Sequence, residues 1–173
     1  MRLLLAAALS VPTIAFAAGG GSDEPPKPTT VFCTGSKVYD EDKKKCVQPQ
    51  ESSLERDERY QTVRQLAYAG RYHDAQQVLD TMDPADPGRL TYMGFTHRKM
   101  GNLTLANMFY EQAIAADPAN ILARSYMGQG FVAEGRVQEA VAQLKAIRAH
   151  GGAGTWSETS LRNAIATGTT YSY

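Results

Sequence analysis

Apolar residues recur every three or four positions over most of this 173-residue chain, which is the spacing of amphipathic helices. In the stretch 90–118, Ala106 lies four residues before Tyr110, so the two share one helix face. Gly94 is a small residue inside the preceding helical pattern, where a second helix packing against it explains it best. Gly101 separates the two patterns and supplies a turn. The pattern therefore predicts two short helices folded into a hairpin.

The hairpin pattern repeats along the chain. Gly94 and Gly128 are 34 residues apart, and so are Ala106 and Ala140. An upstream copy aligns at a spacing of 31, with a shorter closing loop. Periods of this length are typical of repeat proteins, in which each repeat packs on its neighbours. The sequence therefore predicts three helical hairpins, at about 56–86, 87–120 and 121–152.

The middle copy carries a pattern of large, aliphatic, glycine, alanine, aromatic and proline positions, which are Leu90, Met93, Gly94, Ala106, Tyr110, Ala113 and Pro118. This pattern resembles the tetratricopeptide repeat. The third copy departs from it with Gly152 at the closing proline, and the first copy has Val63 in place of the small residue. The resemblance implies an all-α fold over 52–152, a helical-hairpin solenoid of three repeats, whose packing residues include Gly94, Ala106, Tyr110, Pro118, Gly128 and Ala140.

In tetratricopeptide arrays the first helix of each hairpin lines a concave groove, and the second helix forms the convex back. Carried over by helical spacing, the resemblance implies a partner-binding groove that contains Tyr60, Arg64, Tyr68, Phe95, Arg98, Lys99 and Gln129. Such a mixed set suits an extended peptide with an apolar anchor and a carboxylate, because aromatic rings supply contact area and arginine pairs with acids. The competing interpretation is that the aromatic side chains pack between neighbouring helices and the charges solvate the surface.

Another amphipathic segment follows the repeats, within 153–173. Thr155 is a good N-cap, and Glu158 stands three residues later, as in a capping box. Gly168 is expected to end this helix, which would cover the last exposed face of the solenoid. The tail 169–173 is aromatic and β-prone. It could dock back on the repeats or recruit a partner, and the sequence leaves both open.

The first 17 residues have the pattern of a secretory signal peptide. A positive start at Arg2 is followed by an almost wholly apolar run over 3–16, which ends in Ala-Phe-Ala. The run is short for a membrane span and contains Pro12, although an uncleaved anchor stays open. Residues 18–30, rich in Gly and Pro, are expected to form a flexible tether. We therefore expect an exported protein, periplasmic in a two-membrane bacterium, without stable membrane insertion after cleavage.

The only two cysteines, Cys33 and Cys46, are 13 residues apart. In an exported protein they are expected to form a disulfide, which closes a small knob over 31–49. Short strands on either side of an acidic turn at 40–43 would make this knob a β-hairpin, stabilised by the bridge by about 3 kcal/mol. A redox pair would have two residues between its cysteines, and a zinc site needs more ligands, so the spacing disfavours both.

Charge and motifs narrow the function further. With 18 basic and 18 acidic side chains the chain has no basic excess, which argues against nucleic-acid binding. No phosphate-binding loop, nucleophile elbow, paired-carboxylate motif or haem attachment site occurs, so we expect neither a cofactor nor a metal. The sequence favours a non-catalytic adaptor that binds a protein or peptide partner. Two alternatives stay open: an assembly factor that self-associates into a homo-oligomer, and cell-wall glycan recognition by the knob through Tyr39.

Overall fold

The computed structural model describes residues 33–171, which form a mostly helical structure preceded by one small β-hairpin. The predicted signal peptide (1–17) and tether (18–30) lie outside these residues. Within 33–171 the helices are α1 (Arg56–Tyr68), α2 (Tyr72–Leu79), α3 (Pro87–Lys99), α4 (Leu103–Ala116), α5 (Ile121–Ala133), α6 (Val137–Ala149) and α7 (Trp156–Thr167). No helix in this range is both long and apolar enough to span a bilayer.

Consecutive helices pack as three pairs, α1 with α2, α3 with α4 and α5 with α6. The turn inside each pair has glycine in the left-handed region, with φ of +75° at Gly70, +85° at Gly101 and +75° at Gly135. The amide after each glycine donates back into the first helix, for example from Asn102 to the carbonyl of His97 at 2.8 Å. This is a Schellman-type ending, which glycine permits without a steric cost. The turn predicted at Gly101 is confirmed, and the other two helix pairs have the same turn.

Two glycines on first helices allow close helix contacts. A Cβ atom on Gly94 would lie 2.5 Å from Cε1 of Tyr110, so this glycine lets the buried tyrosine of α4 press against the α3 backbone. Gly128 occupies the matching place on α5, but there the neighbour is Leu161 of α7, at 2.7 Å from a built Cβ. The small residue of the third hairpin therefore accommodates the following helix.

The predicted knob is a disulfide-closed antiparallel hairpin of β1 (Val38–Asp40) and β2 (Lys45–Val47), with Val38 opposite Val47. Cys33 and Cys46 form the predicted disulfide, with their Cα atoms 5.8 Å apart. Val38 and Val47 are buried in the same apolar core as the helices. The hairpin is thus packed onto the helical part of the chain.

Polar contacts fix the knob to the start of α1. The buried carboxylate of Asp40 accepts hydrogen bonds from the backbone N–H of Ser53 at 2.8 Å, from its hydroxyl at 3.0 Å and from the backbone N–H of Lys43 at 2.9 Å. Ser53, whose residue type would suit a cap for α1, donates to Asp40 and does not cap the helix. The helix starts instead at Arg56, and Glu58 accepts a hydrogen bond from the Glu55 N–H at 2.9 Å.

The Asp40 contacts make a pH-dependent prediction. The backbone N–H of Ser53, with that of Lys43, lowers the pKa of Asp40 to about 2 from an ordinary 3.8. Its contribution to stability is therefore complete above the ordinary pKa and is lost as the pH falls through the folded value. We expect Asp40→Asn to lower the free energy of unfolding at neutral pH, because an amide NH₂ would face the Ser53 donor. The deficit relative to wild type should shrink on acidification from about pH 5 to about pH 2.

Asp42→Asn is the matched control, because Asp42 lies exposed in the same turn. Urea unfolding of both variants at several pH values measures the effect. A deficit for Asp40→Asn that is the same at every pH would contradict the assigned role of the carboxylate.

At the other end, α7 has the predicted N-cap and stop. The Thr155 hydroxyl accepts the N–H of Glu158 at 3.3 Å, and Gly168 ends the helix with a φ of +72°. The predicted capping box is incomplete, because the buried Glu158 carboxylate pairs with Arg148 of α6 at 2.6 Å instead. This ion pair and buried Leu161 hold α7 against the third helix pair.

Candidate functional site

The first helices of the three pairs and α7 touch in chain order: α1 contacts α3, α3 contacts α5, and α5 contacts α7. Aromatic side chains fill the junctions. We call this set the aromatic row: Tyr60, Tyr68, Tyr92, Phe95, Tyr126 and Trp156. Ring centroids are 5.4 Å apart for Tyr60 and Tyr92, 4.8 Å for Phe95 and Tyr126, and 6.5 Å for Tyr126 and Trp156. These edge-on and tilted contacts are favourable for aromatic pairs.

The tyrosine hydroxyls of the row are linked to one another. The Tyr68 hydroxyl lies 2.9 Å from that of Tyr92 and 3.0 Å from that of Tyr126, so it connects α1, α3 and α5 at one point. Burial raises the pKa of the Tyr92 phenol well above its ordinary value, so this hydroxyl stays protonated. The row is therefore a preorganised layer with an internal hydrogen-bond network.

The predicted groove residues divide into two groups. Tyr60, Arg64, Phe95 and Gln129 are each no more than 5 % exposed. For the aromatic members the competing interpretation, packing between neighbouring helices, describes their place in the structure. The prediction that they are displayed at an open surface is not met, because adjacent first helices approach closely enough for the rings to fill the space between them. Tyr68, Arg98 and Lys99 are half-buried.

Two members of this second group, Arg98 and Lys99, are cations that lie beside the Phe95 ring. The guanidinium carbon of Arg98 is 5.6 Å from the Phe95 ring centroid, and the Cδ of Arg98 is 3.2 Å from a Cβ built on Gly130. Lys99 Nζ is 5.7 Å from the same ring centroid. Burial, and secondarily the charge of Arg98, lowers the pKa of Lys99. Because burial disfavours its charged form, this ammonium favours a nearby acceptor or anion.

The C-terminal segment 169–171 lies against this face. After Gly168 reverses the chain, the backbone N–H of Tyr171 donates to Oε1 of Gln129 on α5 at 3.1 Å. Lys99 of α3 donates to the backbone carbonyl of the same tyrosine at 3.4 Å, and Asn163 of α7 donates to its hydroxyl at 3.1 Å. We call Lys99, Gln129 and Asn163 the tail site. Three helices thus contact Tyr171.

A buried polar chain orients Gln129. Its amide nitrogen is 3.4 Å from the Ser125 hydroxyl, which lies 3.2 Å from the hydroxyl of Ser160 on α7. Both serines are buried. The amide nitrogen of Gln129 is directed toward the two serines, and its carbonyl oxygen therefore points toward segment 169–171. Sequence reasoning missed Ser160 and Asn163, although docking of the tail was one of the two alternatives that it left open.

A second depression lies between the knob and α1. It has a volume of about 320 Å³, and its walls include Tyr39, Leu54, Gln61 and Leu66. Arg71 closes one end, donating to the carbonyl of Cys33 at 3.2 Å and to that of Gly35. Among residues 33–171 no cluster of histidine, cysteine or acidic side chains is arranged to hold a metal ion.

The fold and site define a mostly helical protein with a disulfide-closed hairpin and a face on which the segment 169–171 lies. In comparisons with known proteins, the chain gives no significant match to a family model, a curated protein or a solved structure.

Proposed function

We propose that this chain is an exported, non-catalytic adaptor whose three helix pairs form a tetratricopeptide solenoid, and that the groove along its first helices binds a segment of a partner protein. The observation that carries the proposal is the face shared by α3, α5 and α7, where Lys99 and Gln129 present polar groups to an extended main chain. The half-buried Lys99 ammonium beside Phe95 suits a carbonyl or carboxylate, and the aromatic row provides a rigid base.

Three further observations support parts of the proposal. The contacts from α1 to α3 to α5 to α7, together with those of each second helix with the helix that follows it, agree with the order of packing in a solenoid. The Cys33–Cys46 disulfide supports export, because disulfides persist in oxidising compartments. Packing of the knob onto the core supports one continuous body over the described residues.

A charge reversal tests the binding face. Lys99→Glu is expected to reduce recovery of partners from cells that make the protein naturally by about tenfold, since an acidic side chain would oppose a carbonyl or carboxylate. Lys145→Glu is the matched control, because Lys145 is an exposed lysine on a second helix, α6. It should recover partners as wild type does. Arg64→Ala is unsuitable here, since it removes a buried side chain and would change stability.

Recovery is measured by quantitative mass spectrometry after affinity purification, with a thermal melt of each variant to confirm folding. Equal partner recovery by wild type and Lys99→Glu would contradict the proposal. Loss with Lys145→Glu alone would assign binding to the second helices.

A further inference from the structure

The tail site holds its occupant mainly through the main chain. Gln129 accepts the N–H of Tyr171, and Lys99 donates to the carbonyl of that same residue. A pair of contacts to both backbone groups of one residue fixes an extended peptide without reading its side chain. The side chain of the tyrosine is contacted by Asn163, which donates a hydrogen bond to the phenol.

Buried residues behind the site fix the orientation of its acceptor. Gln129 is 1 % exposed, and its amide nitrogen donates to the Ser125 hydroxyl, which in turn contacts the hydroxyl of Ser160. Its carbonyl oxygen is therefore directed at the N–H of the occupant. A buried polar oxygen that loses its donor is costly, so the site favours an occupant that supplies an N–H there.

The occupant is positioned by one glycine. Gly168 ends α7 in the left-handed conformation, with a φ of +72°. The chain then folds back, so that the Tyr171 hydroxyl contacts Asn163, which is eight residues earlier in the sequence. Tyr171 itself remains 40 % exposed. The segment is thus held by a few polar contacts at the surface, so another peptide that makes the same contacts could displace it.

We infer that the tail site recognises a peptide with a tyrosine. Gln129 and Lys99 clamp the backbone N–H and carbonyl of that tyrosine, Asn163 binds its hydroxyl, and segment 169–171 occupies the site until such a partner displaces it. This inference rests on the proposed function and names its ligand chemistry. A competing segment reduces the apparent affinity by the fraction of time during which the site is open. The tail therefore sets a threshold for partner binding.

A capped peptide with the sequence of residues 167–171, Thr-Gly-Thr-Thr-Tyr, serves as the probe, labelled for fluorescence polarisation. The full-length protein should bind it weakly. Tyr171→Pro removes the N–H that Gln129 accepts but leaves the site intact, so this variant should bind the probe at least about tenfold more tightly. A probe with an N-methyl group on the tyrosine nitrogen should not bind.

Two variants on the Tyr171→Pro background separate recognition from folding. Gln129→Met keeps the size of the side chain but removes the acceptor, and should abolish binding of the probe. Gln129→Glu keeps an acceptor oxygen and should retain binding. Equal affinities of wild type and Tyr171→Pro would overturn the inference, and so would binding of the N-methylated probe or failure of every variant to bind.

Hydrogen exchange at the Tyr171 amide provides a second readout on the full chain. We expect the Tyr171 amide to be protected from exchange in wild type and to lose this protection in Gln129→Met. Protection that rises with protein concentration would place the tail on a second copy and overturn the intramolecular assignment. A partner that depends on Lys99 in the affinity purification while the probe never binds would leave the proposed function standing and remove only this inference. Binding of the probe without a Lys99-dependent partner would support peptide binding at the tail site and contradict the proposed adaptor function.

Discussion

Replacing Tyr92 by alanine is expected to lower the free energy of unfolding by about 3–5 kcal/mol, the range for truncating a large buried side chain. Tyr92 is fully buried at the centre of the aromatic row. Its ring centroid lies 5.4 Å from that of Tyr60, 5.9 Å from that of Phe95 and 6.2 Å from that of Tyr126. Alanine would leave a cavity between α1, α3 and α5, and the close helix contacts would limit how far it can collapse.

The matched control for this variant is Tyr92→Phe. It keeps the ring contacts and removes only the hydroxyl that lies 2.9 Å from the Tyr68 hydroxyl, so the expected loss is about 1 kcal/mol. Urea unfolding monitored by circular dichroism measures both values. If alanine and phenylalanine cost the same, the rings do not join the first helices as described.

Replacing Gly94 by alanine is expected to destabilise the protein by about 1–3 kcal/mol, and leucine more, because the new side chain meets a buried ring. The built Cβ lies 2.5 Å from Cε1 and 2.6 Å from Cδ1 of Tyr110. Tyr110 is fully buried and cannot swing away without opening the pair α3 and α4. The sign is informative, since glycine to alanine within a helix normally stabilises by up to about 1 kcal/mol.

Gly130→Ala in α5 is the control, and it is expected to have that normal sign. Its Cβ would meet only the flexible Cδ of Arg98, at 3.2 Å. We expect a neutral or stabilising change in the melting temperature for Gly130→Ala and a clear decrease for Gly94→Ala. A Gly94→Ala variant as stable as wild type would contradict the close contact between α3 and Tyr110.

Much of the local structure could be predicted from the sequence because it depends on short-range rules. Periodic apolar residues define the helices, and glycines such as Gly101 and Gly168 mark their ends by a backbone geometry that other residues rarely adopt. The disulfide followed from the only cysteine pair, Cys33 and Cys46. The glycine signals are local, and two cysteines allow only one intramolecular pairing.

Features that depend on distant partners could not be predicted. Ser53 fits a cap for α1 by its type, yet it donates to Asp40, 13 residues earlier. Glu158 is spaced for a capping box, but an arginine of α6, Arg148, takes its carboxylate. Gly128 has the same place in its repeat as Gly94 but meets Leu161 of the following helix. Local patterns give the residue type, and packing decides which of several partners it meets.

The candidate site was predicted in part. Helical spacing placed Phe95, Lys99 and Gln129 on first helices, but it gave no measure of how closely those helices approach. Their approach buries Phe95 and Gln129 and leaves Lys99 half-exposed. The fold of the tail onto Gln129 depends on a contact across 42 residues, which periodicity cannot indicate.

Lysine-reactive crosslinking of the protein with its natural partners, read by mass spectrometry, tests partner binding at the first helices most directly. The described lysines separate three surfaces: Lys99 on the first-helix face, Lys145 on α6, and the knob lysines Lys37, Lys43, Lys44 and Lys45. Partner peptides attached to Lys99, with few at the other positions, are expected if the groove is the binding surface. Partner peptides attached only to the knob lysines or to Lys145 would contradict it.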